Sequence, residues 1–336
     1  MDKCVLSTNE RAFIHDTLEQ IRIDGRQQYD YRSVNISFQQ EKLGQVQVSL
    51  GKTKVIAVVS CDVAAPLGDR GTEGYLLFNT ELSPMAGQHY AKQRNAQSEA
   101  SIEISRVIER ALRGSGAIDT EALCIVSGEK VWSIRVDLHV IDDHGNVMDC
   151  AHLAAITALL HYKRPEVTIG EDGKVTIHET QDRDPVPLSV HHIPICVSFG
   201  FLGDGTKCLI DPSLKEEEML TGSMTVAANT HGQICAVQKG GGVPVHSSQI
   251  LTCTKIAALK AKDLTDLIET SIRNDEKQRK FNKLPAYARP KEAPVKVKPV
   301  ITKQELIDLN EMVDSDDEEE GEKDVVYLQE LFDQDV

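Results

Sequence analysis

The stretch KVWSIRVDLHVIDDHGNVMDCAHLAAITALLHY, residues 130–162, restricts what this chain can fold into more than any other. Branched residues recur at Val131, Ile134, Val136, Val140 and Ile141 and predict a strand. A polar turn follows, Asp142-Asp143-His144-Gly145-Asn146, and then an apolar helix with Asp149 as its N-cap, stopped by Pro165. Strand, glycine turn and helix start together make an anion site, because unpaired N–H groups and the helix dipole both face the turn. The residues that would complete such a site are missing. Asp149 is placed where an anion would dock, and Met148 where a cation would help. A carboxylate there satisfies the helix N–H groups itself and repels a phosphate. The pattern is that of an anion site that has been closed.

The rest of the chain alternates strands and helices. An amphipathic helix is expected over Asn9–Gln20, with Phe13, Ile14 and Leu18 on one side. Strands are expected at 31–38, 44–51, 53–63 and 75–82, with Gly51-Lys52 turning the second into the third. A helix over about 97–113 ends at Gly114-Ser-Gly116. In the second half, Gly203-Asp-Gly205 and Thr230-His-Gly232-Gln233 each mark a hairpin. Gly240-Gly-Gly242 then breaks the chain before a long helix from Ser247 to about Arg273, and without a following Lys-Ser/Thr it is not a nucleotide loop. Two βα halves of like order predict an α+β sandwich with helices on one sheet face. The expected organisation is an N-terminal helix and arm (1–29), a first subdomain (30–165), a linker hairpin (166–188), a second subdomain (189–275) and a disordered tail (276–336). Residues 277–303 hold nine Lys/Arg, one acid and four prolines, too few apolar groups to fold.

Charge has to be divided before it is used. The chain carries −15, but residues 305–336 hold fourteen acids and one lysine, which leaves the other 304 residues at −2. An acidic chain argues against a nucleic-acid partner. Here the acid describes a tail and leaves the folded body open to RNA. No run of 18 uncharged apolar residues and no signal-type start occur, so neither a membrane span nor export is expected. Eight cysteines lie far apart with no CxxC pair and read as reduced thiols rather than a disulfide frame or zinc site. His139, His144, His152, His161, His191 and His192 lack partners at ligand spacing, so no metal and no cofactor is expected.

The layout resembles the ribonuclease PH family. Phosphorolytic members read roughly Asp-Gly-Gly-Thr-Arg ahead of this helix, where the present chain has His144-Gly145-Asn146-Val147-Met148. Arg22-Ile-Asp-Gly-Arg26, Gly51-Lys-Thr-Lys-Val55 and Trp132 carry the likeness, which covers about residues 6–275. TEALCIVSGEKVWSIRVDLH and RDPVPLSVHHIPICVSF are similar to a eukaryotic RNA exosome ring subunit of that family. The resemblance implies the ribonuclease PH-like fold, a two-subdomain βα sandwich of the ribosomal protein S5 domain 2-like kind. It also implies a place in a six-membered ring threaded by single-stranded RNA. The partners it implies are other ribonuclease PH-like ring subunits, cap subunits and associated hydrolytic nucleases. The setting implied is RNA processing and degradation in the nucleus and nucleolus, and also in the cytoplasm.

Family enzymes use phosphate to attack the RNA 3′ end, with two aspartates six residues apart after a second-half strand. By resemblance those positions are Glu217 and Ser223 here, so the former phosphate and acid site (Gly145, Asn146, Met148, Asp149, Glu217, Ser223) is degenerate. Asp211 has the right spacing to Glu217 but ends a strand before Pro212 and falls too early. Glu216–Glu218 read as a solvated helix start favoured by the dipole. The expectation is a catalytically inactive subunit. The alternative is an active phosphate-dependent 3′-to-5′ exoribonuclease working with a paralogue.

Arg106, Arg110 and Arg113, at +4 and +3, share one helix face, while Ile102, Val107, Ile108, Ala111 and Leu112 supply apolar contacts. Two accounts compete. Arginines near a helix C-terminus suit the dipole, and Glu103 can pair with Arg106. Alternatively the row holds a nucleic-acid backbone without reading sequence. The resemblance favours RNA, since family members line their RNA path with arginines from this helix, and Arg94 is a further candidate. In the tail, Val325-Val326-Tyr327-Leu328 beside acids resembles a SUMO-interacting motif, which binds by strand addition, and Ser315 suits an acidophilic kinase. A plain solvating tail is the competing reading.

Overall fold

The computed structural model describes residues 7–18, 22–40, 42–68, 70–87, 90, 99–170, 175–178, 182–203, 205 and 207–283. Helix α1 (Thr8–Leu18) opens at Ser7, whose N–H and hydroxyl both reach Glu10. It buries Ile14 and Leu18 against Leu209. Phe13, expected on the same side, is 64% exposed, because one step of a 3.6-residue helix carries it off that narrow stripe.

The first half follows the expected order. Strands β1 (Val34–Phe38), β2 (Gln45–Leu50), β3 (Thr53–Ala64) and β4 (Tyr75–Leu82) lead to helix α2 (Glu99–Glu109). That helix runs on as a π-helical turn over Arg110–Gly114. Then come β5 (Cys124–Val126), β6 (Lys130–Asp142) and helix α3 (Val147–His161). The sheet is ordered β1-β2-β3-β6-β4, with β5 also on β6 and with β4 parallel to β6. In β2, Val46, Val48 and Leu50 are buried while the residues between them are not, the two-residue period of a half-covered strand.

Two short pairs follow: β7 (Lys163–Arg164) with a later β10 (Val186–Pro187), and β8 (Val167–Ile169) with β9 (Val175–Ile177). The second half forms an antiparallel sheet of β11 (Ile195–Leu202), β12 (Lys207–Ile210), β13 (Gly222–Ala228) and β14 (Ile234–Gly240), ordered β12-β11-β13-β14. A short helix, α4 (Leu214–Glu217), joins β12 to β13, and α5 (Ser247–Lys283) packs on β11 and β13.

Helix α3 explains how the halves are joined. Thirteen of its residues are buried, and it packs on β2, β3 and β6 of one sheet and on β11 of the other. A helix that is apolar all round is one covered on every side. Buried side chains of both sheets, α3 and α5 accordingly form one core cluster.

The long helix runs past the expected end at Arg273 to Lys283. Its last turns are fixed by partners from the first half. His161 Nδ1 accepts from Gly44 N–H (3.1 Å), which leaves Nε2–H to donate to Asp275 (3.1 Å). Arg279 donates to Asp275 and to the carbonyl of Gln40 (2.8 Å). The start of the basic segment is therefore helix, held by contacts a charge count does not see. Among the described residues, no helix is long and apolar enough to cross a membrane.

Candidate nucleic-acid interface and glycine turn

The turn after β6 is built for close approach. Gly145 has φ +91°, and a Cβ there would lie 2.4 Å from Leu214 N and 2.5 Å from Ser213 C. Only glycine fits both the backbone angle and the chain pressed against it. Asn146, at φ 53°, caps α3 by accepting from Asp149 N. The cap is thus Asn146, and the expected N-cap Asp149 stands three residues inside the helix. Asparagine suits this place because it tolerates the left-handed region and carries a short acceptor.

Asp149 does not face the turn opening either. It is fully buried, and its carboxylate accepts from Tyr31 Oη (2.7 Å), Asn146 Nδ2 (2.8 Å), Ser198 N (2.9 Å) and Ser198 Oγ (2.7 Å). It ties α3 to strand β11. Burial pushes its pKa up to about 6, against the pull of these donors.

A different carboxylate, 71 residues beyond Asn146, lies against the turn. Glu217 Oε1 accepts from Asn146 N–H at 2.6 Å, while Gly145 N–H donates to Asp143 Oδ1 at 2.9 Å. The donors that would grip a phosphate already hold carboxylates of the same chain. Burial lifts the Glu217 pKa to about 7, and the nearby Asp143 adds to the rise. Tyr90 Oη donates to the other oxygen of Asp143 (2.8 Å).

The expected solvated start at Glu216–Glu218 is corrected at two positions. Glu216 is 1% exposed, closes a capping box with Ser213 and pairs with Arg22 through Nε (2.9 Å) and Nη2. Glu217 is half-buried against the turn. The short helix uses Glu216 in its cap and finds a buried guanidinium to neutralise it, which sequence spacing alone does not reveal.

Asp211, directly after the end of β12 and before Pro212, belongs to the same centre. It is buried at φ 50° and binds Arg32 Nη2 (2.7 Å), Arg26 Nη1 (3.0 Å) and Asn146 Nδ2 (2.7 Å). These donors hold its carboxyl below the usual range despite burial. Arg32 also donates to the carbonyls of Gly145 (2.9 Å) and His144 (3.2 Å). Ser223, by contrast, is exposed on β13 opposite Gly200 and Gly240. Met148 packs at the edge of the core. Among the described residues, no cluster of three or more His, Cys, Asp or Glu could hold a metal ion.

The arginine helix makes the second feature. Ile104, Val107, Ile108, Ala111 and Leu112 are buried and anchor it, whereas Ile102, expected among the contacts, is 47% exposed. Arg106, Arg110 and Arg113 do come together, with Arg70 of the β3–β4 loop, around an open concavity of about 480 Å³ that also includes Glu109 and Gly114. The expected Glu103–Arg106 pair is replaced: Glu109 takes both Arg106 (2.9 Å) and Arg113 (3.3 Å). Arg110 donates to Gln238 on β14 (2.7 Å). Arg70 had no sequence signal, since only the fold carries its loop to this helix. Arg94, Ser315, Val325, Val326 and Leu328 lie outside the described residues.

Two family models match the chain: 3′ exoribonuclease family, domain 1, over residues 30–165, and domain 2 over residues 192–258. The chain belongs to the 3′ exoribonuclease (RNase PH) family. Within that family it is 47% identical over 281 residues to the exosome complex component RRP45 of Homo sapiens, covering 83% of this chain and 63% of the relative. The chain therefore spans a little under two thirds of such mammalian relatives. It is 45% identical to the RRP45 component of Danio rerio over 92% of this chain and 78% of that one. The match to the Schizosaccharomyces pombe component is 41%, over 80% and 91% respectively. Among solved RNase PH-like chains, one from the Archaeoglobus fulgidus exosome with RNA bound to the active site superposes at TM-score 0.66 with 28% identity, over 76% of this chain and 96% of that one. An archaeal exosome core chain gives 0.64 with 29% identity, over 77% and 96%.

Proposed function

We propose that this protein is a non-catalytic ring subunit of an RNA exosome, supporting 3′-to-5′ RNA processing and degradation. Its partners in this reading are other RNase PH-like ring subunits, cap subunits and hydrolytic nucleases, working in the nucleus, the nucleolus and the cytoplasm. The observation that carries the proposal is the 2.6 Å bond from Asn146 N–H to Glu217, which fills the anion position of the turn from within. A phosphate would have to displace that carboxylate and sit beside Asp143, with no arginine or threonine from the turn to offset the repulsion. Ser223, at the second acid position, can neither bind a metal strongly nor take a proton. The resemblance to RRP45 components supports the assignment to a ring, and the arginine-lined concavity supports contact with an RNA backbone.

The test is phosphate-dependent release of nucleoside diphosphates from single-stranded RNA by a ring assembled with this chain. The expected rate with Glu217→Ala or Glu217→Gln equals that with the unaltered chain. A rate that collapses in both variants while the ring stays assembled would overturn the non-catalytic assignment and favour joint phosphorolysis with a paralogue.

A further inference from the structure

The concavity beside α2 lacks one half of a single-strand groove. Such a groove pairs cations that follow the backbone with aromatic rings on which successive bases stack. Here Arg70, Arg106, Arg110 and Arg113 surround about 480 Å³ together with Glu109 and Gly114, and among the described residues no aromatic or aliphatic side chain lines it. The arginines also come from separate places. Arg106 lies on α2 and Arg110 and Arg113 on its π-helical turn, while Arg70 arrives from the β3–β4 loop and closes the row into a bowl. Each guanidinium is aimed by a partner. Glu73 accepts from Arg70 (3.2 Å), Gln238 from Arg110 (2.7 Å), and Glu109 from Arg106 (2.9 Å) and Arg113 (3.3 Å). Among the described residues all four bonds use Nη1, which leaves Nη2 of each arginine for a ligand. Exposed pairs like these add little stability. They do orient the groups beforehand, which lowers the side-chain entropy lost on binding.

We propose that the bowl binds a small, phosphate-dense ligand of the inositol polyphosphate kind, which competes with RNA for the same arginines. The volume falls within the roughly 300–1,000 Å³ of small-molecule sites. Such sites are mostly apolar, and this one offers charge alone, so the number of phosphates packed into that space decides what it holds. Four guanidinium groups face a single lining carboxylate, Glu109. Guanidinium forks take phosphate oxygens through paired N–H donors, and a ring of phosphates on a compact scaffold can engage all four forks together. Orthophosphate can meet only one or two of them. The site rests on the geometry of the bowl, and the competition rests on the RNA contact proposed above.

The test is calorimetric titration of the full chain at about physiological salt, with inositol hexakisphosphate, inorganic tripolyphosphate and orthophosphate as separate arms. The expected result is one hexakisphosphate per bowl, bound more tightly than tripolyphosphate and at least about tenfold more tightly than orthophosphate. Arg70→Glu and Arg106→Glu change exposed side chains, and each should weaken hexakisphosphate by about tenfold or more, while Glu109→Gln should tighten it several-fold. Hexakisphosphate should also lower crosslinking of single-stranded RNA to the same chain. A titration that both arginine variants leave unchanged would put the ligand on the basic segment 277–303 and overturn the proposal. So would equal affinity for all three probes, tighter binding of tripolyphosphate, or no binding of hexakisphosphate while crosslinking still depends on the arginines. Arginine-dependent binding of hexakisphosphate with RNA crosslinking untouched would keep the site and overturn both the competition and the RNA contact.

Discussion

At the scale of single residues, Glu217 and Asp149 are carboxyls whose pKa values burial raises, to about 7 and about 6. A raised group lends stability that is complete below its unfolded pKa and is lost as pH climbs through its folded pKa. For Glu217 that window runs from its ordinary 4.5 up to about 7. The oppositely shifted Asp211, Glu216 and Asp275 lose their contribution only as pH falls below the ordinary carboxylate range. Glu217→Gln keeps an acceptor for Asn146 N–H but cannot ionise. Comparing urea midpoints of the two chains from about pH 5 to pH 8 should show the unaltered chain losing on the order of 2 kcal/mol relative to the variant. Parallel pH profiles would contradict the raised pKa of Glu217. Asp149→Leu is a sharper lesion, because it leaves the Ser198 N–H, the Asn146 amide and the Tyr31 hydroxyl without their acceptor. It should cost about 1–3 kcal/mol at neutral pH, read by the same denaturation.

At the scale of elements, α2 carries both the arginines and the residue that restrains them. Glu109 engages Arg106 and Arg113 at 2.9 and 3.3 Å, so an incoming phosphate must compete with a carboxylate already in place. The π-helical turn over Arg110–Gly114 adds a residue to the last turn while Ala111 and Leu112 stay buried. Glu109→Gln should therefore raise single-stranded RNA affinity several-fold and steepen its salt dependence by roughly one to two log units per log unit of salt. Substituting Arg106, Arg110 and Arg113 together with glutamate should cut RNA crosslinking by about tenfold or more. Crosslinking that survives the triple change unaltered would remove this face from the RNA path.

At the scale of the whole molecule, one ionic centre ties the N-terminal arm to both halves. Arg22 from the arm binds Glu216, Arg26 and Arg32 bind Asp211, and Asn146 bridges Asp211 to Asp149. A buried pair is costly to break, because it strands its partner's charge. Asp211→Asn keeps the side-chain shape and the left-handed backbone but removes the charge facing two arginines. It should lower stability by roughly 3–5 kcal/mol and expose the arm to protease. Removing residues 284–336 spares Asp275, Arg279 and every described contact, so ring incorporation should survive it, as measured by co-purification. A cut before residue 275 should not be tolerated, because it frees His161 and the turn at Gly44.

The order of strands and helices was legible from the sequence, since alternating and helical apolar periods are local properties of the chain. So was the strand, glycine turn and helix unit, and so was the family resemblance that marked Glu217 and Ser223. Besides Phe13, Ile102 and the partner of Arg106, what the sequence read wrongly were polar groups whose partners lie far along the chain. Asp149 looked like a cap, yet Ser198 and Tyr31 draw it inward. Glu216 looked solvated, yet Arg22 meets it 194 residues away. Arg70 gave no signal, and the basic end of α5 looked unstructured. Local periodicity therefore determined which elements form and that a glycine turn opens the central helix. The tertiary structure alone decided which carboxylate lies against that turn, because the burial and pairing of charges depend on neighbours that only the completed fold brings together.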